Sequence, residues 1–496
     1  VEFLKSVQVS KLLLVLNVLL SIAYFVCVVW LFPIGTPALF VLLVVSEIFH
    51  VWQVFGYIHT IWPRKQKRSF DARFQPHVAV YITVCGEPAE IIEETVIAAK
   101  AMRYSRFSVY LLNDGKVANR ANWQEAEMIA RRQGITCFTR TEPGGAKAGN
   151  INHALQLTNE PYVVVFDADH IPKKEFFLET VGYFVDEKVA FVQSPQYYHN
   201  FGKNQVAGGS WEQQALFFGP LLKGKDTVNA TFMCGTNMVI RRKALDEVGG
   251  MSEKSIAEDF LTSLLIHDKK WKSVYVDKVL AEGLAPEDFL SYYKQQFRWA
   301  RGSLEILFSY NPLFRRGLSW AQKIQYIASA SFYLSGVIVL MNALLPLVYF
   351  FFALKPLTIN TMTLALIFLP YIFVILYTLQ HTSNFTYTFR ALSFSLGSFT
   401  IYIKALLQTM FRIKNGFVVT SKKRVSGNHG RLVVPHLIFI ALVIAGIAWG
   451  VMREGLSASM LSNIAWAFIY IAAFSPFIAA AFEKERKPQK IVEVPA

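Results

Sequence analysis

The chain has 496 residues, 53% of them apolar, 17% charged and 15% aromatic, a balance too greasy for an ordinary soluble enzyme and one that points to a membrane protein. A formal charge of +15 invites a nucleic-acid reading, but the Lys and Arg residues crowd beside apolar runs, as juxtamembrane charges do, so no nucleic-acid partner is expected. Cys27, Cys85, Cys137 and Cys234 lie far apart without CxxC spacing, which argues against a zinc site or a disulfide framework and suits a catalytic part in a reducing cytosol.

Two apolar runs come first, at 12–32 and 38–59, each near the roughly 20 residues that a bilayer core demands, with Pro33, Gly35 and Pro37 as turn residues between them. No cleavable signal is evident, because the second run follows the first at once. From Pro63 to about Asp288 the composition turns charged and mixed, long enough for one full α/β domain. Within it strands are predicted at 77–84, 109–112 and 162–166 and helices at 91–102 and 123–133, the rhythm of a doubly wound, mostly parallel sheet. Four further spans are predicted near 327–352, 363–380, 432–452 and 461–481.

Six spans place both termini on one side. Lys5, Lys11, Arg64, Lys65, Lys67, Arg68, Lys422, Lys423, Arg424, Arg431, Lys484, Arg486 and Lys487 all fall on that side, against little more than Lys355 and Arg453 opposite, so it is expected to be cytoplasmic. The stretch 391–413 rivals a span in apolarity, but Lys404, Gln408 and Arg412 recur every fourth residue and mark a polar face. It reads as an interfacial helix; a seventh span would put the basic tail outside.

Ligands of such sheets sit at the carboxyl ends of the strands, which draws attention to acidic residues just past strands. Asp167-Ala168-Asp169-His170 follows the apolar run 162–166, and two carboxylates one residue apart can hold a hard divalent cation, Mg2+ or Mn2+, together with diphosphate oxygens. His170 either completes that site or caps the loop. Asp114 and Glu87 stand at two other strand ends, where Asp114 either accepts from a nucleotide or makes a plain Asp-Gly turn. The glycine-rich run around Lys147 is not a P-loop, yet its backbone can approach phosphate, and the alternative is a surface loop. Glu258-Asp259 precedes a predicted helix; repulsion from Glu258 and the acidic cluster can raise the pKa of Asp259 and make it a base, or the pair simply complements a helix dipole. Finally, Gln295, Arg298 and Trp299 lie on an aromatic-rich helix approaching the third span, where Arg298 suits a diphosphate and Trp299 a sugar face.

In order, Asp114, Asp167-x-Asp169, Asp259 and Gln295-x-x-Arg298-Trp299 resemble the D, DxD, D, QxxRW signature of processive family 2 glycosyltransferases, and the segments FDADHIP, KAGNIN and FMCGT resemble bacterial cellulose synthase catalytic subunits. The resemblance implies a GT-A type cytosolic domain inserted in an α-helical membrane domain of about six transmembrane helices plus interfacial helices. Its expected divisions are 1–62, two helices; 63–290, the transferase domain; 291–325, amphipathic helices with QxxRW; 326–390, two helices; 391–431, the interfacial helix and gating segment; and 432–496, two helices and a tail.

It implies Asp259 as base, with Thr83, Glu87, Asp114, Lys147, Asp167 and Arg298 at the nucleotide. Asp167 and Asp169, with His170, would serve the metal. Phe232, Cys234 and Gly235 would meet the acceptor end of the glucan, with Gln295 and Trp299 at the channel entrance. Phe417, Val419 and Thr420 match the family's FxVT gating loop. The implied reaction converts a UDP-sugar, foremost UDP-glucose, into a β-linked glucan that leaves through the protein's own helices across an inner or plasma membrane, with an accessory membrane or extracytoplasmic subunit as a further expected partner beside the lipid bilayer. Three departures stand out: Ala257 replaces a usual threonine, Asn113 replaces a first aspartate, and two spans with a basic tail follow the gating motif in place of a cyclic-di-GMP-binding PilZ domain. They leave a mixed-linkage β-1,3/1,4-glucan as an alternative product. A non-processive lipid-linked sugar transferase and a non-catalytic nucleotide-binding transporter are the remaining readings.

Overall fold

A computed structural model describes residues 7–413 and 428–483. The strand β1 (Val78–Val84) is buried along its whole length and runs parallel to both neighbours, β2 (Phe107–Asn113) and β4 (Tyr162–Asp167). A continuous apolar run is what a strand covered on both faces needs. Val78, Val80 and Ile82 point into one core with Ile92, Val96 and Ile129, while Ala79 and Tyr81 point into the other with Ala148, Ile151 and Ala154, as the two-residue period of a strand dictates.

The edge strand β3 (Thr136–Thr139) pairs parallel to β2. Three more strands extend the other side: β6 (Val189–Gln193), β8 (Met238–Arg241) and β9 (Lys272–Tyr275), giving the order β3-β2-β1-β4-β8-β6-β9. β8 is antiparallel to β4 and β6, and the remaining pairs are parallel, so the sheet is mostly parallel as expected. The chain runs outward from β1 to β3 and returns on the opposite side of β1 at β4. That reversal opens a crevice at the carboxyl ends of these strands. A small sheet of β5 (Ile171–Pro172), β7 (Tyr197–Tyr198) and β10 (Ala281–Gly283) folds over one end of it.

Among the described residues, six helices are long and apolar enough to cross a membrane: Lys11–Leu31, Pro37–Ile61, Trp320–Phe352, Thr361–Thr382, Gly430–Glu454 and Ala458–Ala481. Five follow the predicted runs closely. The third begins seven residues earlier than predicted, where Gln322 and Gln325 are buried against the α/β domain through bonds to Asn229 and Lys225. The stretch 391–413 is not a span: it forms two helices, Phe389–Gly397 and Phe399–Met410, too short to cross. Its polar residues meet the helix Phe289–Ser309, with the Lys404 ammonium over the Tyr293 and Phe297 rings and Gln408 accepting from Arg301.

Candidate active site

A cleft of about 600 Å³ opens at the strand ends. Thr83, Glu87, Asp114, Lys147, Asp167, Asp169, His170, Cys234, Gly235, Asp259, Gln295, Arg298 and Trp299 all line it. These residues come from stretches more than 200 positions apart.

Each strand end delivers its residue for a local reason. Asp114 leaves β2 with its amide bonded to the Val84 carbonyl at 2.8 Å, so β1 and β2 stay in step up to the cleft. Thr83 donates to the Asp167 carboxylate at 3.2 Å and to the Phe166 carbonyl at 3.3 Å, joining β1 to β4 at the same level. Glu87 turns back to accept from the Cys85 amide. Asn113, the departure from a first aspartate, is fully buried beside the cleft rather than in it: its Oδ1 accepts from the Gly115 amide at 2.9 Å and its Nδ2 donates to the Trp123 carbonyl at 2.8 Å. A carboxylate has no hydrogen to donate to Trp123, so the amide suits this turn where an aspartate would not.

Sequence reasoning missed Arg140. Its guanidinium grips both oxygens of Asp114, Nε to Oδ1 and Nη2 to Oδ2 at 2.7 Å each, and also donates to the carbonyls of Gly144 and Ala146. Both side chains are buried, and burial pushes the Asp114 carboxyl up while Arg140 draws it back. Arg140 therefore aims Asp114 and at the same time pins the glycine-rich loop, where Gly144 and Gly145 take positive φ ahead of the helix Ala146–Leu157. Nothing in the local sequence marks Arg140 apart from its place just past β3.

Lys147 leaves the first turn of that helix to form an ion pair with Asp167 and to donate to the Gly235 carbonyl at 2.6 Å. Gly235 has φ +82°, and a Cβ there would lie 3.2 Å from the Asp259 carboxylate and 3.6 Å from the Lys147 ammonium, so the base candidate and the cation face each other across it. Asp259 is half-buried and accepts from the Phe260 amide at 2.7 Å. Burial raises its pKa first and the charge of Glu258 second, together pushing it up to about 7. The sequence reading placed repulsion first; desolvation is the larger cause.

Asp167, Asp169 and His170 offer ligand atoms all within 4.8 Å of one another. His170 is buried with its Nδ1 3.4 Å from the Asp169 carboxylate, and among the described residues neither ring nitrogen makes a hydrogen bond, which is costly for an imidazole unless a ligand takes one of them. Gly283 permits this arrangement, since a Cβ there would come within 2.6 Å of the His170 ring. The donor set of two carboxylates and an imidazole fits a divalent cation.

Two expectations stand apart. Phe232 is not among the residues that line the cleft: its ring packs among Phe217, Phe260 and Tyr326, in contact with an apolar cluster that Cys234 also touches, whereas Cys234 and Gly235 line the cleft. An aromatic ring next to three others gains more from apolar contact than from a wet cleft wall. Phe417, Val419 and Thr420 lie outside the described residues.

Residues 246–494 match the family described as cellulose synthase, and residues 76–302 match glycosyltransferase-like family 2. The chain belongs to the cellulose synthase family. This family member is 28% identical over 517 residues to cellulose synthase 2 of Novacetimonas hansenii, an overlap of 99% of the chain and 32% of the relative. It is 36% identical over 294 residues to the UDP-forming cellulose synthase catalytic subunit of Xanthomonas axonopodis pv. citri (strain 306), covering 57% of the chain and 40% of that relative. The chain thus spans about a third to two fifths of the length of these relatives. Its fold is of the GT-A type. The mannosyltransferase of Pyrobaculum calidifontis, solved with GDP-Man and Mn2+, superposes with a TM-score of 0.51 at 17% identity, over 76% of this chain and all of that one.

Proposed function

We propose that the chain is a membrane-embedded, processive, inverting glycosyltransferase that polymerises a UDP-sugar, foremost UDP-glucose, into a β-1,4-linked glucan and passes it out through its own six helices. The observation that carries this reading is the convergence of Asp114, Asp169, Asp259 and Arg298 on one cleft whose far wall is the helix leading into the membrane bundle. Kinship with UDP-forming relatives supports the donor class.

In this reading the nucleotide lies at the strand ends, against Thr83, Glu87 and Asp114, with Arg140 holding Asp114 in one orientation. The diphosphate lies between Lys147 and Arg298, cations that meet the charge developing on the leaving UDP. Asp167, Asp169 and His170 would hold Mg2+ or Mn2+, which when bound supplies Lewis-acid neutralisation of the diphosphate oxygens. The Mn2+ bound by the fold relative supports a divalent ion. Asp259 takes the proton from the acceptor hydroxyl as that oxygen attacks the anomeric carbon from the face opposite UDP, so one displacement inverts the configuration. Its raised pKa makes the deprotonated carboxylate a stronger proton acceptor near neutral pH, which is what a general base needs. Gln295, Trp299, Cys234 and Gly235 border the acceptor side, with Trp299 presenting a ring face to a sugar. The catalytic domain and both termini then lie in the cytoplasm, as the basic flanks of the spans support.

The test is incubation of the purified protein in nanodiscs with UDP-glucose and Mg2+ or Mn2+, followed by product sizing and digestion. A long polymer degraded by cellulase alone is expected, and chelation should abolish it. Lichenase sensitivity would instead give a mixed-linkage glucan, and a single lipid-linked sugar would remove processivity from the proposal.

A further inference from the structure

The helix Phe289–Ser309 carries more than the QxxRW residues. Arg298, Arg301, Gly302 and Glu305 follow the spacing of one helical face, and that face runs from the cleft along the segment 255–257 that leads into the helix Glu258–Asp268, whose first turn carries Asp259. Arg298 lines the cleft. One turn on, Gly302 passes so close that a Cβ there would lie 2.3 Å from the Ala257 Cβ, which also accounts for the small residue at 257. Another turn on, Glu305 Oε2 accepts from the Ser255 hydroxyl at 2.9 Å and from the Ile256 amide at 3.4 Å, while the Ser255 oxygen accepts from the Ala257 amide at 3.2 Å. Residues 255–257 are thereby pinned immediately ahead of Glu258 and Asp259.

Arg301 holds Glu305 in place. Buried at 7% exposure, it donates Nε to Glu305 Oε1 at 3.2 Å, Nη1 to Gln408 Oε1 at 3.2 Å and Nη2 to the Ile413 carbonyl. A planar fork reaches three partners in three directions; a lysine, with a single nitrogen, does not. The hydrogen bonds therefore run without a break from the carboxyl end of the Phe399–Met410 segment through Arg301 and Glu305 to residues 255–257, just ahead of the helix that carries Asp259.

We propose that Arg301 and Glu305 are a positioning pair: they set the orientation of the segment 255–257, from which the helix bearing Asp259 starts, and tie it to the end of the helix Phe399–Met410. Neither side chain touches the reacting atoms. The effect falls on the transfer step, where a misplacement of about 1 Å costs on the order of a hundredfold in rate. The kinetic consequence rests on the transferase reading above; the structural one does not.

The test uses the full chain in nanodiscs, with Glu305→Ala and Arg301→Ala. Both should lower kcat with UDP-glucose by about tenfold or more, with the donor KM and the affinity for UDP within about twofold of wild type. Without any substrate, both should speed amide exchange at Ile256 and Ala257. Glu305→Gln, which keeps an acceptor oxygen, and Arg301→Lys, which keeps the charge but not the fork, should fall between wild type and the alanine variants. The double alanine variant should be no worse than the worse single one, since both act on one link. Unchanged exchange at 256 and 257, a kcat within about twofold of wild type, or a loss carried by the donor KM would each overturn the proposal. Where an alanine variant does not fold, Glu305→Gln decides: intermediate exchange and kcat support the pair, and wild-type values in both refute it. A wild-type protein that transfers no sugar would sink the functional reading while leaving the exchange measurement to judge the pair.

Discussion

The two halves of the cleft are built by different means. On the strand-end side, Asp114 and Asp167 issue from the parallel strands that flank β1, β2 and β4, and each carboxylate is met by a cation, Arg140 or Lys147. On the helix side, Asp259 sits in the first turn of the helix Glu258–Asp268, whose lead-in segment is braced by the helix Phe289–Ser309; it is held by a backbone amide and has its pKa raised by burial and by Glu258. Acids matched by cations are suited to holding a ligand in place, whereas an acid kept short of compensation is suited to moving a proton.

The sharpest way to break that contrast is Asp259→Asn. If the helix side moves the proton, incorporation from UDP-glucose should drop roughly a thousandfold while UDP still binds by calorimetry. Equal loss of both would mean that the two halves do one job. Next comes Arg140→Ala, which strands a buried carboxylate. A cost of about 3–5 kcal/mol is expected, read as a lower midpoint of unfolding together with weaker UDP binding. A variant that melts like wild type would show that Asp114 finds compensation elsewhere.

The pH dependence is a milder probe. A base must be deprotonated, so kcat should rise with pH through about 7 and level off above it, falling roughly tenfold per unit below. The same shift makes the folded protein hold a proton that the unfolded chain has already released. Asp259 therefore costs stability increasingly as pH climbs from the ordinary carboxylate range to its folded pKa, and unfolding midpoints measured across that range should move downward. A flat kcat profile between pH 6 and 8 would assign the proton to another group. The smallest effect is expected at Phe232→Leu, where donor KM and product length should stay within about twofold of wild type and the loss should be about 1 kcal/mol of stability. A shortened product would return Phe232 to the acceptor side.

Much of this was legible along the chain. The six apolar runs announced themselves because a bilayer imposes a length, and β1 and β4 because a strand covered on both faces must be apolar throughout. Asp114, Asp167 and Asp169 could be found because carboxyl ends of parallel strands gather ligands by topology alone. Arg140, Arg301 and Glu305 escaped notice, as ordinary charged residues in ordinary surroundings. Phe232 stands two and three residues from Cys234 and Gly235, which line the cleft, but its own ring packs against three other rings, a preference that no local pattern announces.

The order of the elements, the positions of the acids and the membrane character follow from the sequence itself, since each rests on a local pattern of a few to twenty residues. Which cation meets which acid, whether a ring lines the cleft or packs beside it, and how strongly Asp259 is desolvated were settled only by tertiary packing, within the α/β domain and against the helices that follow it. Those outcomes depend on distances between residues far apart in the chain, and Coulomb attraction and dehydration act through space rather than along the backbone.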